Sequence, residues 1–311
     1  MTNCIKLFIM KKILVPTDFS DCALNAIKFA ADLSNKFNST IHIAHTHQRI
    51  VPSDTVFNID LESKIVAKEN EVFKEYIKEL MLMDFMQGVS VKTSLDAVFQ
   101  LEDILIMDKY EDVDLIVMGS HIIDGIEEFF IGSNTQKFIQ LAYCPVISIK
   151  EEVKISDIKS IVFASDFKQE VIPKYEVIKN FAHKIGAKLH YLKIMTPKDY
   201  SIEEDEIGDI ARFVKTTGIN ADEVNLFKAV SIERGIIKYC REENINMLAI
   251  ETHGKTGISH LLQDNIAESL SNHMLIPFFS VKIGEEQGEL SDPLLDFLIE
   301  KNLIINKKSY G

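Results

Sequence analysis

The 311-residue chain carries 34 Lys and Arg against 47 Asp and Glu, a formal charge of −13, with 46% apolar residues, enough for two ordinary domains with packed cores. Residues 1–150 hold 14 basic and 21 acidic side chains and residues 151–311 hold 20 and 26, so neither half offers the basic stripe that nucleic acid or an anionic membrane requires. Cys4, Cys22, Cys144 and Cys240 form no C-x-x-C pair, and no apolar run reaches the roughly 18 residues of a membrane span, which together point to reduced thiols in a cytoplasmic protein.

Ile5–Lys12 is too short for a signal h-region, and Met10 is an alternative start, so residues 1–10 read as a lead. Lys12–Thr17 is a continuous apolar run bounded by Asp18, as in a strand buried on both faces. Asp21–Phe37 follows with Ala23, Ala26, Ile27, Ala30 and Leu33 at helical spacing and Ser20 or Asp21 as N-cap. Thr40–Thr46 predicts a strand, Asp60–Phe85 a long helix, Val89–Thr93 a short strand and Val98–Tyr110 a helix. Asp114–Gly119, Asn134–Leu141 and Val146–Lys150 then predict strand, helix and strand. Five strands alternating with four helices imply a parallel sheet covered on both faces.

The pattern then repeats. Ile13–Phe19 lies over Ile161–Phe167 at an offset of 148, and Asp114–His121 over Asn246–His253 at an offset of 132. The second copy has therefore lost 16 residues, which fits a shortened connecting helix. Its predicted strands are Ser160–Ser165, Lys188–Ile194, Glu223–Lys228, Met247–Glu251 and Phe278–Ile283, and its helices Glu170–Ile185, Ile202–Thr216, Ile232–Glu243 and Ile266–His273. The division is a first domain over 1–150, a charged linker over 151–159, a second domain over 160–284, and an extension over 285–311 with a short helix at Leu294–Ile299 after Asp292-Pro293.

In an open parallel sheet, ligands bind beyond the carboxyl ends of the strands where the strand order reverses. Thr17-Asp18 and Gly119-Ser120 would face one another across such a crevice. The stretch from Met118 to Thr135 leaves a strand, passes Gly119, Gly125 and Gly132-Ser133, and opens a helix. Backbone N–H groups at glycines and at a helix N-terminus make an anion cradle.

With KILVPTDFS at Lys12–Ser20, DLIVMGSH at Asp114–His121, Gly132-Ser133 and Ala142–Val146 in this order, the first copy resembles the universal stress protein domain. The second resembles it more weakly, through Ser165-Asp166, Thr252–Gly257 and Ile276-Pro277. The resemblance implies two doubly wound parallel five-stranded sheets of order 3-2-1-4-5, related to the adenine nucleotide alpha hydrolases. It also implies a cytoplasmic stress-response role, pairing of the two domains, and association of edge strands with a second copy or another protein. Some members bind ATP, with Mg, through G-x-x-G followed by G-S/T. Carried onto this chain, the nucleotide-contacting positions are Pro16, Thr17, Asp18, Thr46, Met118, Gly119, His121, Gly132, Ser133, Asn134 and Thr135.

Ile122 stands at the middle glycine of that motif, and Asp124, Glu127 and Glu128 bring negative charge to the same loop, both opposing phosphate. In the second copy Glu251 replaces the first glycine and Asp264-Asn265 the closing pair. The chain thus reads as a regulatory binding module with at most one nucleotide pocket, in the first domain. The alternatives are a nucleotide-free interaction protein and a weak nucleotide hydrolase or phosphotransferase, for which no catalytic residue is assigned.

His45 and His47 share one face of a strand end without a third ligand, so no metal site is assigned. His121 and His253 occupy matching places and suggest a structural hydrogen bond. The apolar face of Glu62–Phe85 suits packing on the sheet, with its Met-rich end as a candidate partner surface.

Overall fold

The computed structural model describes residues 10–48, 59–120, 133–168, 171–197, 203–252 and 276–282. The first half runs β1 (Lys12–Thr17), α1 (Asp21–Phe37), β2 (Thr40–Gln48), α2 (Ile59–Met81), β3 (Ser90–Val98), β4 (Leu115–Gly119), α3 (Ser133–Leu141) and β5 (Val146–Ile149). The second runs β6 (Ser160–Ala164), α4 (Ile172–Ile185), β7 (Lys188–Met195), α5 (Glu203–Thr217), β8 (Val224–Lys228), α6 (Ile232–Glu242), β9 (Met247–Thr252) and β10 (Phe278–Lys282).

Within each half every ladder is parallel and the strand order is 3-2-1-4-5, as expected. The two five-stranded units do not stand apart: β5 and β10 pair antiparallel, with Phe279 opposite Ile147. The result is one ten-stranded sheet, β3-β2-β1-β4-β5-β10-β9-β6-β7-β8. Each half thereby satisfies the main-chain donors and acceptors of an edge that would otherwise be open.

Both faces of this sheet are covered across the junction. On one, α1 and α4 bury Phe29, Leu33 and Phe181 over Ile147 and Phe279. Phe37 stacks on Phe181 at 6.0 Å between centroids, and Phe181 lies 4.9 Å from Phe279. On the other face Phe138, Val146 and Phe278 join a cluster that also holds Ile236 and Leu248.

Helix α1 follows its sequence signals closely. Ser20 caps it by accepting from the Ala23 N–H at 3.2 Å, and Asn38 ends it in the left-handed region at φ 58°. The long second helix is shorter than predicted: α2 stops at Met81, and Asp84–Met86 forms a separate 3-10 turn after extended Met83.

The region around residue 98 departs further from expectation. Strand β3 runs to Val98 and pairs with β2 along its whole length, and Val98–Tyr110 is not an α-helix but two 3-10 turns, Leu101–Ile106 and Asp108–Tyr110. The Asp103 carboxylate accepts from both Phe99 and Gln100 N–H at 2.9 Å, which anchors the first turn. Asp96, whose charge argues against a strand, is buried and accepts from Tyr110 Oη at 2.6 Å and Ser94 Oγ at 3.0 Å, with Lys109 as ion partner. The matching segment of the second half, α6, is a regular helix capped by Ser231.

The segment read as a linker packs against α1. Ile155 and Ile158 are buried, Asp32 on α1 accepts from the Ile155 N–H at 3.3 Å, and Lys28 pairs with Glu152. Met10, assigned to the lead, is also buried, and its carbonyl accepts from Ser39 Oγ. The predicted helices Ile266–His273 and Leu294–Ile299, residues 1–9 and the extension lie outside the described residues. Among the described residues no helix is long and apolar enough to cross a membrane.

Candidate functional site

The parallel register brings the carboxyl ends of β1, β2, β4 and β5 to one edge. Thr17 pairs with His45, so Thr46 lies one residue beyond, and the alignment of Ile13 with Leu115 carries Thr17 level with Gly119. Pro16, Thr17, Asp18, Thr46, Met118 and Gly119 therefore lie along one edge of the sheet. Thr135 is buried and Asn134 exposed in the first turn of α3. His121 and Gly132 lie outside the described residues, as do the Ser133 side chain and the acidic loop between these positions.

The β1–α1 turn accounts for much of this cluster by local chemistry. Thr17 Oγ1 accepts from the Phe19 N–H at 3.1 Å, and Asp18 Oδ1 accepts from Ser20 N–H and Ser20 Oγ at 3.1 and 2.5 Å. Phe19 sits between them in the left-handed region at φ 67°. The second half builds the same turn: Ser165 Oγ accepts from Phe167 N–H, Asp166 Oδ1 from Lys168 N–H, and Phe167 has φ 60°.

Gly119 is required by packing. A Cβ there would lie 2.5 Å from the Cys22 carbonyl carbon and 2.6 Å from Ala23 N, so the open side of this glycine is filled by the first turn of α1. The Ser120 N–H donates to Ile149 O at 2.9 Å and is committed to the sheet. Met118 is a core residue.

Aromatic side chains line the exit of β1 and β2. Phe19 lies 4.2 Å from His45 and 4.9 Å from Tyr76, and His45 lies 5.9 Å from Phe73, all between ring centroids. His45 Nδ1 is 2.7 Å from Thr17 O, and His47 Nδ1 is 2.5 Å from Glu69 Oε2. These two imidazoles are thus engaged singly, and among the described residues no three potential ligands cluster for a metal ion.

The sequence reading missed Lys150. It follows β5 level with Ser120, is buried, and its pKa is lowered to about 8 by burial, with the Cys22 thiol acting weakly in the opposite sense. The signal was a lysine closing an otherwise apolar strand. Lys282, the last residue of β10, holds the matching place in the repeat.

On the opposite face, His42 Nε2 meets Ser94 Oγ at 3.1 Å and its ring lies 4.8 Å from that of Tyr110. Burial first, then Lys12 and Lys109, lowers the His42 pKa to about 4. In the second half His190 Nδ1 meets Tyr239 Oη itself at 3.3 Å, so each half sets a histidine of its second strand beside a buried tyrosine.

A family model described as the universal stress protein family matches residues 10–150. Universal stress protein YxiE of Bacillus subtilis is 31% identical over 145 residues, 45% of this chain and 98% of that protein. A universal stress protein of Methanocaldococcus jannaschii is 28% identical over 146 residues, 46% of this chain and 84% of that one. Among solved structures, a universal stress protein from Archaeoglobus fulgidus superposes with a TM-score of 0.66 at 17% identity, covering 88% of this chain and 99% of that one. A putative universal stress protein from Pseudomonas aeruginosa superposes at 0.60 with 19% identity, covering 96% and 99%. Both are similar in fold along nearly the whole double unit.

Proposed function

This chain belongs to the universal stress protein family, and from that premise we propose that it is a cytoplasmic stress-response binding module whose one nucleotide pocket lies in the first half. The observation that carries the asymmetry is the strand exit itself. The first half has Gly119 there, and the second has Glu251, whose Oε2 is buried. An anionic polyphosphate meets an acid in one half and none at that point in the other.

The residues left to hold ATP are few, because Thr17, the Ser120 N–H and the open side of Gly119 are already used by the scaffold. Phosphates would rest on the Lys150 ammonium and on the N-terminus of α3 at Asn134 and Thr135. Asp18, Thr46 and the Phe19–His45 wall would flank the nucleoside. Bound Mg would supply charge neutralisation of the phosphates.

Titration calorimetry of the full chain with Mg-ATP tests this. Saturable binding, weakened at least tenfold in Lys150→Gln, supports the pocket; no heat and no thermal shift at millimolar nucleotide overturns it. A second reading, a nucleotide-free interaction module, is favoured by the turn hydrogen bonds of Thr17 and Asp18 and the packing role of Gly119. It predicts that null titration together with an intact fold.

A further inference from the structure

The repeat sets Glu251 at the position of Gly119. In the first half that position abuts the first turn of α1, whereas α4 begins at Ile172, the counterpart of Leu24, three residues further along than the counterpart of Asp21. The half-buried Glu251 stands at the exit of β6 and β9. One oxygen accepts from Ser165 Oγ at 2.7 Å, and the other, Oε2, is buried without a hydrogen-bond partner.

A carboxylate in that position would carry its charge without a donor for one oxygen, which favours the neutral acid. The neighbouring charges do little to reverse this. The Asp166 carboxylate, on the residue after Ser165, opposes ionisation; it is itself held by Lys168 at 3.0 Å. On β7, the buried Lys193 donates to Asp166 O at 3.4 Å. Lys282 on β10 stands opposite Thr252 in the ladder, and Lys174 is the half-buried lysine of the α4 first turn.

We infer that Glu251 is a proton-binding switch at the β6–β9 exit: as the neutral acid it closes the exit of the second half, and on releasing its proton to water it becomes a buried carboxylate that draws solvent in and loosens the strand ends. Burial first, reinforced by the Asp166 charge and opposed by the Ser165 hydrogen bond and the backbone N–H groups of Glu251 and Asp166, raises its pKa to about 7. The inference is independent of whether the first half binds nucleotide.

The test compares urea unfolding of the full-length protein with that of Glu251→Gln from pH 5 to pH 8.5. The folded acid keeps a proton that the unfolded chain has released, so wild-type stability relative to the variant falls by roughly tenfold in the unfolding equilibrium per pH unit up to about pH 7, then levels. Taking the difference between the two proteins removes the contribution of His42, which has the opposite sign. Infrared spectroscopy with carboxyl-labelled glutamate supplies the second readout and needs only the wild type. A protonated-acid C=O band present at pH 6 and lost by pH 8.5 supports the switch. Absence of that band at pH 6, or a stability difference that does not change with pH, overturns it.

Discussion

Replacing Gly119 with alanine tests whether this glycine serves the packing of α1. The added Cβ would stand 2.5 Å from Cys22 C and 2.6 Å from both Ala23 N and Cys22 O, where ordinary contact begins at 3.4 Å. Either α1 or β4 must therefore move by about 0.9 Å, the difference between those distances. The obstruction is backbone, which cannot rotate aside, and α1 carries a buried face running from Ala23 to Ser34. Overpacking of this kind costs about 1–3 kcal/mol, and the rigid neighbours place Gly119→Ala at about 3 kcal/mol. Urea unfolding followed by circular dichroism reads the loss as a lower midpoint at constant slope. Gly208→Ala on α5, where the nearest atom is 3.9 Å away on the Arg212 side chain, is the control and should gain up to about 1 kcal/mol through helix propensity. A loss below about 0.5 kcal/mol for Gly119→Ala would refute the packing argument and return the glycine to a ligand role.

Two further predictions concern the scaffold. His42 is buried with its pKa lowered to about 4, so its folded form binds fewer protons than the unfolded chain between pH 4 and about 6.5; the stability it contributes is present above that window and lost as pH falls through it. The stability advantage of wild type over His42→Asn should therefore shrink between pH 7 and pH 4.5 in parallel urea titrations, and a constant difference would contradict this. Phe279→Ala removes a fully buried ring that packs on Phe181 at the β5–β10 junction, and should cost about 3–5 kcal/mol. Because the ring lies in a core shared by both halves, calorimetry should show the whole protein losing stability, and a shift confined to a second-half transition would argue against a shared core.

Much of the fold was legible because period and repeat are local properties of the chain. Buried parallel strands show as unbroken apolar runs, so Lys12–Thr17 and the helix Asp21–Phe37 were bounded to the residue. Val98–Tyr110 misled because helical spacing does not distinguish an α-helix from two 3-10 turns, and the Asp103 anchor that selects the turns is a side-chain bond to Phe99 and Gln100 N–H. Strand β3 outran its predicted end at Thr93 for a related reason: the partners of Asp96, namely Tyr110, Ser94 and Lys109, come from the strand itself and from a turn beyond it, and only their meeting makes a buried carboxylate tolerable there.

The candidate site divides in the same way. The amino-acid sequence alone determined two related copies, the placing of Thr17, Asp18, Thr46 and Gly119 at strand ends, and the substitution of Glu251 for a glycine, since all are matters of order and spacing. Only the tertiary structure decided that the two sheets join through β5 and β10, because edge pairing is made by main-chain groups that every residue possesses. It likewise decided that Gly119 makes room for α1 and that one oxygen of the Glu251 carboxyl is buried without a partner, because both depend on which atoms from distant segments arrive at the same point.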